Sequence, residues 1–108
     1  MAIEASNDEM PYKVYVDDNA HPGDTGERYL KGGYPDCETA VRVCKEVVDA
    51  FLERVYAVDK SEAQLWREYT SWGADPFIVA GGAEAGCPFS AWDYAQARIR
   101  EMAGKSEP

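Results

Sequence analysis

The chain has 108 residues, 45% of them hydrophobic, and sets 20 acidic against 11 basic side chains for a net charge of −9. That length makes one domain whose core needs neither a disulfide nor a metal to hold it together. The charge repels phosphate backbones and anionic bilayers, which argues against binding nucleic acid or a membrane surface.

Residues 1–10 are polar, acidic and aperiodic, and read as a flexible tail, as do residues 105–108, around a single domain over 11–104. Tyr12-Lys13-Val14-Tyr15-Val16 alternates and predicts a strand with Tyr12, Val14 and Val16 inward. Residues 18–26 carry Asn, Pro, Gly and Asp and predict a loop. Arg28-Tyr29-Leu30-Lys31 predicts a second strand, antiparallel to the first and stopped by Gly32-Gly33.

The strongest helix signal runs from Cys37 to about Tyr56. Asp36 stands at its N-cap, and an apolar stripe passes through Cys37, Ala40, Val41, Cys44, Val47, Val48, Phe51, Leu52 and Val55. Ser61 with Gln64 forms a capping box that opens a second helix, whose buried side carries Leu65, Tyr69 and Trp72 and whose stop is Gly73. Phe77-Ile78-Val79-Ala80 is a continuous apolar run and predicts a strand shielded on both faces. Residues 81–88 form a loop. Ser90 and Asp93 cap a last helix that Gly104 ends, with Phe89 facing Tyr94 as a hydrophobic staple. The predicted fold is α+β: a three-stranded, mainly antiparallel sheet with three helices packed on one face, in the order β-β-α-α-β-α.

Three cysteines, an odd number, argue against a disulfide framework. Cys37 and Cys44 are seven residues apart on a helix, about 10 Å, too far to bridge. The cysteines therefore read as reduced, with Cys44 buried and Cys87 accessible in its loop. No secretory leader pattern and no apolar run of about 18 residues occurs, and the expected location is the cytoplasm.

The densest polar stretch lies between the first two strands. Asp17, Asp18, Asn19, His21, Asp24, Glu27 and Arg28 include the only histidine and could meet a ligand or a cation. An EF-hand started at Asp17 would need Gly where Pro22 stands and Glu where Arg28 stands. Zinc wants several His or Cys at close spacing, which the loop lacks. No metal or cofactor is expected. The simpler reading is structural: Asp and Asn bond their own turn, and Arg28 pairs with Asp17 or Asp18 as a clasp.

Cys87 with His21 is the one conceivable nucleophile pair, without any surrounding catalytic signature. Gly81-Gly82-Ala83-Glu84-Ala85-Gly86 lacks the lysine of a phosphate loop. Trp66, Trp72 and Trp92 could form an aromatic binding face, although aromatics at helical spacing usually fill a core. Trp92, at the start of the last helix, is the best exposed anchor.

Val16-Asp17-Asp18-Asn19, His21, Glu27-Arg28-Tyr29, Asp75-Pro76-Phe77 and Phe89-Ser90-Ala91-Trp92-Asp93-Tyr94-Ala95 together resemble a group of small bacterial proteins without an assigned activity. The resemblance spans Tyr12 to Met102 and implies a compact cytoplasmic bacterial domain, but no reaction. The leading functional expectation is a non-enzymatic interaction or regulatory domain that binds a protein partner. The alternative is a small ligand- or metal-binding protein, or an enzyme, that uses the loop from Asp17 to Arg28. Neither reading specifies an oligomeric state.

Overall fold

The computed structural model describes residues 10–20, 28–81 and 86–105. The expectations for the tails before residue 10 and after 105, for His21, Asp24 and Glu27, and for residues 82–85 lie outside the described residues. The fold is α+β, with order β1 (Tyr12–Asp18), β2 (Tyr29–Tyr34), α1 (Cys37–Val55), α2 (Glu62–Trp72), β3 (Ala74–Ala80) and α3 (Ala91–Lys105). The sheet is antiparallel with strand order β2-β1-β3.

Alternation in β1 sets the sheet's two faces. Val14 and Val16 are buried against the helices, while Tyr15 lies opposite Phe77 on the other face and stacks on it at 5.8 Å. The strand runs two residues past the apolar stretch, because Asp17 and Asp18 still pair with Asp75 and Ala74.

β2 does not stop at the glycines. Gly33 and Gly32 pair with Lys13 and Val14, and the register then slips so that Leu30 faces Tyr15. Lys31 is the extra residue of this bulge. An edge strand tolerates glycine because it packs on one neighbour only.

β3 is the opposite edge and is not shielded on both faces. Pro76 is buried on the helix side, while Val79 on the open side is 44% exposed. An apolar run in an edge strand thus leaves part of its surface in water. Gly81 N–H donates to the Pro11 carbonyl, and Asn19 N–H donates to the Gly73 carbonyl at 2.9 Å. Odd-numbered β1 residues therefore hold the hydrogen-bonded pairs with β3. Pro76, opposite Val16, falls in a non-bonded pair, so its nitrogen faces away from β1. The outward carbonyl of Ala74 is taken by the Tyr69 hydroxyl at 2.8 Å.

The helices begin where their caps dictate. Asp36 accepts the Thr39 N–H at 2.7 Å, Ser61 and Gln64 complete the capping box, and Ser90 Oγ accepts the Asp93 N–H at 3.2 Å. Phe89 and Tyr94 lie 6.1 Å apart, in keeping with the staple. At the end of α1, Lys60 Nζ donates to the Val55 carbonyl and pairs with Glu68. α3 runs to Lys105, one residue beyond the expected glycine stop.

The main core gathers Val48, Phe51, Leu52, Leu65, Tyr69, Ala91, Ala95 and Ile99 between the helices. A smaller one joins Val14 to Ala40 and Cys44. Trp72 belongs to neither and is 70% exposed, contrary to its place in the helical stripe. α2 ends there, and the chain turns into β3 before the stripe reaches its partner.

The expected reduced cysteines are also corrected. Cys37, the first residue of α1, is disulfide-bonded to Cys87, with Cα atoms 5.7 Å apart. Cys87 is only 8% exposed rather than accessible. An odd count leaves room for one bond plus one free thiol, and the pairing joins segments 50 residues apart that helix spacing could not relate. Cys44 is free and buried, as its stripe position required.

Candidate functional site

β1 delivers its last residues to the corner where β3 begins, α2 ends and α3 starts. Asp18 Oδ1 accepts the Ala20 N–H at 2.9 Å, which closes an Asx turn. Asn19 is the hub of this corner. Its Nδ2 donates to the Tyr69 carbonyl at 2.8 Å, and its Oδ1 accepts Trp92 Nε1 at 3.3 Å. One short amide thus ties the end of β1 to both α2 and α3.

Arg28 returns the chain to the sheet through a bidentate pair with Asp17, Nε to Oδ1 at 2.6 Å and Nη2 to Oδ2 at 3.0 Å. The expected clasp is therefore present, with Asp17 as the partner. The guanidinium also lies 4.9 Å from the Phe77 ring centroid, and the hydrogen bond to Asp17 raises its already high pKa. Asp75, directly across the sheet from Asp17, has its carboxyl pKa raised, first by burial and then by the charge of Asp17.

A cleft of about 150 Å³ opens beside these groups, lined by Val16, Asp17, Asp18, Tyr29, Trp72, Gly73 and Ala74. Val16, Gly73 and Ala74 form its apolar part. Tyr29 and Trp72 stand at its edge, 53% and 70% exposed. Tyr29 and Ala74 also line an adjoining space of about 220 Å³ with Lys31, Val47, Ala50, Phe51 and Arg54. The two spaces carry opposite charge: carboxylates at the Trp72 end, cations at the Arg54 end.

Asp17 and Asp18 thus line one cleft, Arg28 is bonded to Asp17 over the Phe77 ring, and Asn19 joins Trp92 at the same corner. His21 and Glu27 are not among the described residues. Trp92 is 41% exposed, but its indole packs edge-on against Trp66 at 5.5 Å and Tyr69 at 6.5 Å, so it serves first as a brace. Trp72, by contrast, meets no other ring among the described residues and is the more available anchor. Sequence reasoning missed Val16, Tyr29, Gly73 and Ala74 as cleft residues and weighed Trp72 only within an aromatic face with Trp66 and Trp92. The one signal for Trp72 was its position immediately before the helix stop.

The cysteines do not supply a thiolate nucleophile. Cys87 is held in the disulfide and cannot pair with His21 as a thiolate. Burial pushes the Cys44 thiol up to about 12, which keeps it protonated. Among the described residues, no three His, Cys, Asp or Glu side chains are arranged to hold a metal ion, and no helix is long and apolar enough to cross a membrane.

No protein-family model, curated protein or solved structure matches the chain.

Proposed function

We propose that the protein is a non-enzymatic interaction module that takes a segment of a protein partner into the cleft between Tyr29 and Trp72. The carrying observation is that these two large aromatics stand exposed while lining a formed cleft together with Val16, Gly73 and Ala74. Exposed aromatic anchors beside a pocket are the usual centre of a binding surface. The net charge of −9 supports a protein partner over nucleic acid or an anionic membrane.

Location bears on the same reading. A cytoplasmic thiol pool would keep Cys37 and Cys87 reduced, so the bonded pair supports oxidising surroundings in place of the expected cytoplasm. A second reading, a small-ligand site at the same corner, draws support from Asp75 alone, a half-buried carboxyl facing Asp17.

Selection of random displayed peptides on the immobilised chain tests the module. Enriched peptides should lose binding to Trp72→Ala and to Tyr29→Ala. Absence of enrichment, or peptides indifferent to both substitutions, would overturn it.

A further inference from the structure

We infer that the space between β2 and the last turns of α1 receives an acidic side chain, glutamate foremost, from the same partner segment. The inference rests on the module reading in one respect, that the occupant belongs to a protein segment.

The bulge in β2 decides what faces α1. Leu30, opposite Tyr15, lies on the open face of the sheet, while Tyr29, opposite Val16, lies on the helix side. Lys31 is the inserted residue, and it lines the space of about 220 Å³ together with Arg54. Bulges commonly re-aim a side chain in this way. Arg54 enters from the last turn of α1, with its guanidinium 5.4 Å from the Phe51 ring centroid. The nearby Val55 carbonyl at this helix end is already taken by Lys60 at 2.7 Å.

These two cations are available. Arg28, Lys60 and Arg98 each hold a carboxylate, whereas neither Lys31 nor Arg54 has an ion pair among the described residues. Both are exposed, and no described carboxylate lines the space with them. Two like charges at one space repel each other, and an anion seated between them turns that repulsion into attraction. A carboxylate meets a guanidinium and an ammonium through charge-assisted hydrogen bonds.

The remaining walls select the stem that carries the anion. Val47 and Ala50 of α1 are apolar, so the methylenes of glutamate lie along them. The volume exceeds the roughly 150 Å³ that admits a benzene-sized group, which is room for one such side chain. The net charge of −9 penalises a dianion such as phosphate more than a single carboxylate. At physiological salt, charges beyond a Debye length of about 8 Å are largely screened, so the two lining cations dominate locally. Tyr29 and Ala74 line both this space and the Trp72 cleft, so one segment can reach the two together.

The test follows backbone amide shifts of the full chain by NMR during titration with glutamate and with glutamine, each blocked at both ends. Free glutarate and inorganic phosphate are titrated alongside. Blocked glutamate should give saturable shifts at Lys31, Ala50 and Arg54 and bind at least fivefold more tightly than blocked glutamine. Lys31→Met and Arg54→Gln should each weaken it at least fivefold, while Arg54→Lys should retain most of the binding. Trp72→Ala should leave it unchanged, which separates this space from the neighbouring cleft. Lys31 and Arg54 are exposed, so these variants should keep the spectrum of the natural chain elsewhere.

Equal binding of blocked glutamine, or no shift at these residues, overturns the inference, and displayed peptides that still bind through Trp72 then leave the module standing. Glutarate or phosphate binding more tightly than blocked glutamate overturns the partner segment as occupant. Blocked glutamate binding as expected while no displayed peptide is enriched overturns the module and leaves a site for a free carboxylic acid.

Discussion

Asn19 and Tyr69, fifty residues apart, are joined by a 2.8 Å hydrogen bond from the Asn19 amide to the Tyr69 backbone carbonyl. That carbonyl also accepts the Gly73 N–H at 2.8 Å, so the last turn of α2 is satisfied from two sides. Asn19→Ala removes this bond and the acceptor for Trp92 Nε1. Urea unfolding should show a loss of about 1–2 kcal/mol. Asn19→Asp keeps an acceptor for Trp92 but places an oxygen against the Tyr69 carbonyl, so it should not restore stability.

Gly73 permits the close approach that makes this corner possible. A Cβ there would lie 2.6 Å from a Tyr69 ring carbon and 2.7 Å from the Tyr69 carbonyl oxygen. The ring is buried and the carbonyl is held by two donors, so neither can move aside freely. Gly73→Ala should therefore destabilise the fold by about 1–3 kcal/mol in the same assay, a penalty typical of overpacking.

The Cys37–Cys87 bond links the first turn of α1 to the segment that leads into α3. In the chain-entropy account, a crosslink closing about 50 residues contributes roughly 4 kcal/mol. Reduction, or Cys37→Ser with Cys87→Ser, should lower the unfolding midpoint markedly. Thiol labelling of the native oxidised chain should modify no cysteine quickly, because the sole free thiol, Cys44, is buried. Rapid native labelling would contradict both assignments.

Asp75 predicts a pH effect of definite sign. Its pKa is raised in the folded state by burial and by Asp17, so its charged form opposes folding above that raised value. The opposition is relieved as pH falls through the folded pKa toward the ordinary carboxylate range. Asp75→Asn should accordingly raise the melting temperature at pH 7, and its advantage over the natural chain should shrink on acidification. A constant difference across pH 3–7 would show that the carboxyl charge is not responsible.

Local signals in the sequence proved readable where one segment decides the outcome by itself. Asp36, Ser61 and Ser90 cap their helices because capping needs only the next three residues. The α1 stripe buries Ala40, Cys44, Val48, Phe51 and Leu52 because helical geometry puts them at its centre, while Cys37, Val41, Val47 and Val55 at its margins and ends are only partly buried. The Asp17–Arg28 clasp followed from hairpin proximity.

What was missed depends on distant segments. Gly32 and Gly33 look like a stop, yet β1 supplies the ladder that carries the strand through them. Phe77 to Ala80 looks doubly shielded, yet strand order leaves β3 at an edge. Trp72 matches the buried spacing, yet the described residues leave it 70% exposed at the end of α2. The cleft itself combines β1, β2, the end of α2 and the start of β3, and no local pattern encodes that meeting.

Pro76 gives the sheet a one-sided growth barrier. Its ring nitrogen sits on the outer rim of β3, where an incoming chain would look for a donor, and the neighbouring Ala74 carbonyl is already engaged by Tyr69. A foreign strand arriving there would lose consecutive rungs of its ladder. Molecules crowded together are thereby hindered from zipping rim to rim into fibrils, although Phe77-Ile78-Val79-Ala80 in isolation has the composition of a fibril seed. The same barrier steers recognition away from backbone pairing at β3 and toward the reading of side chains.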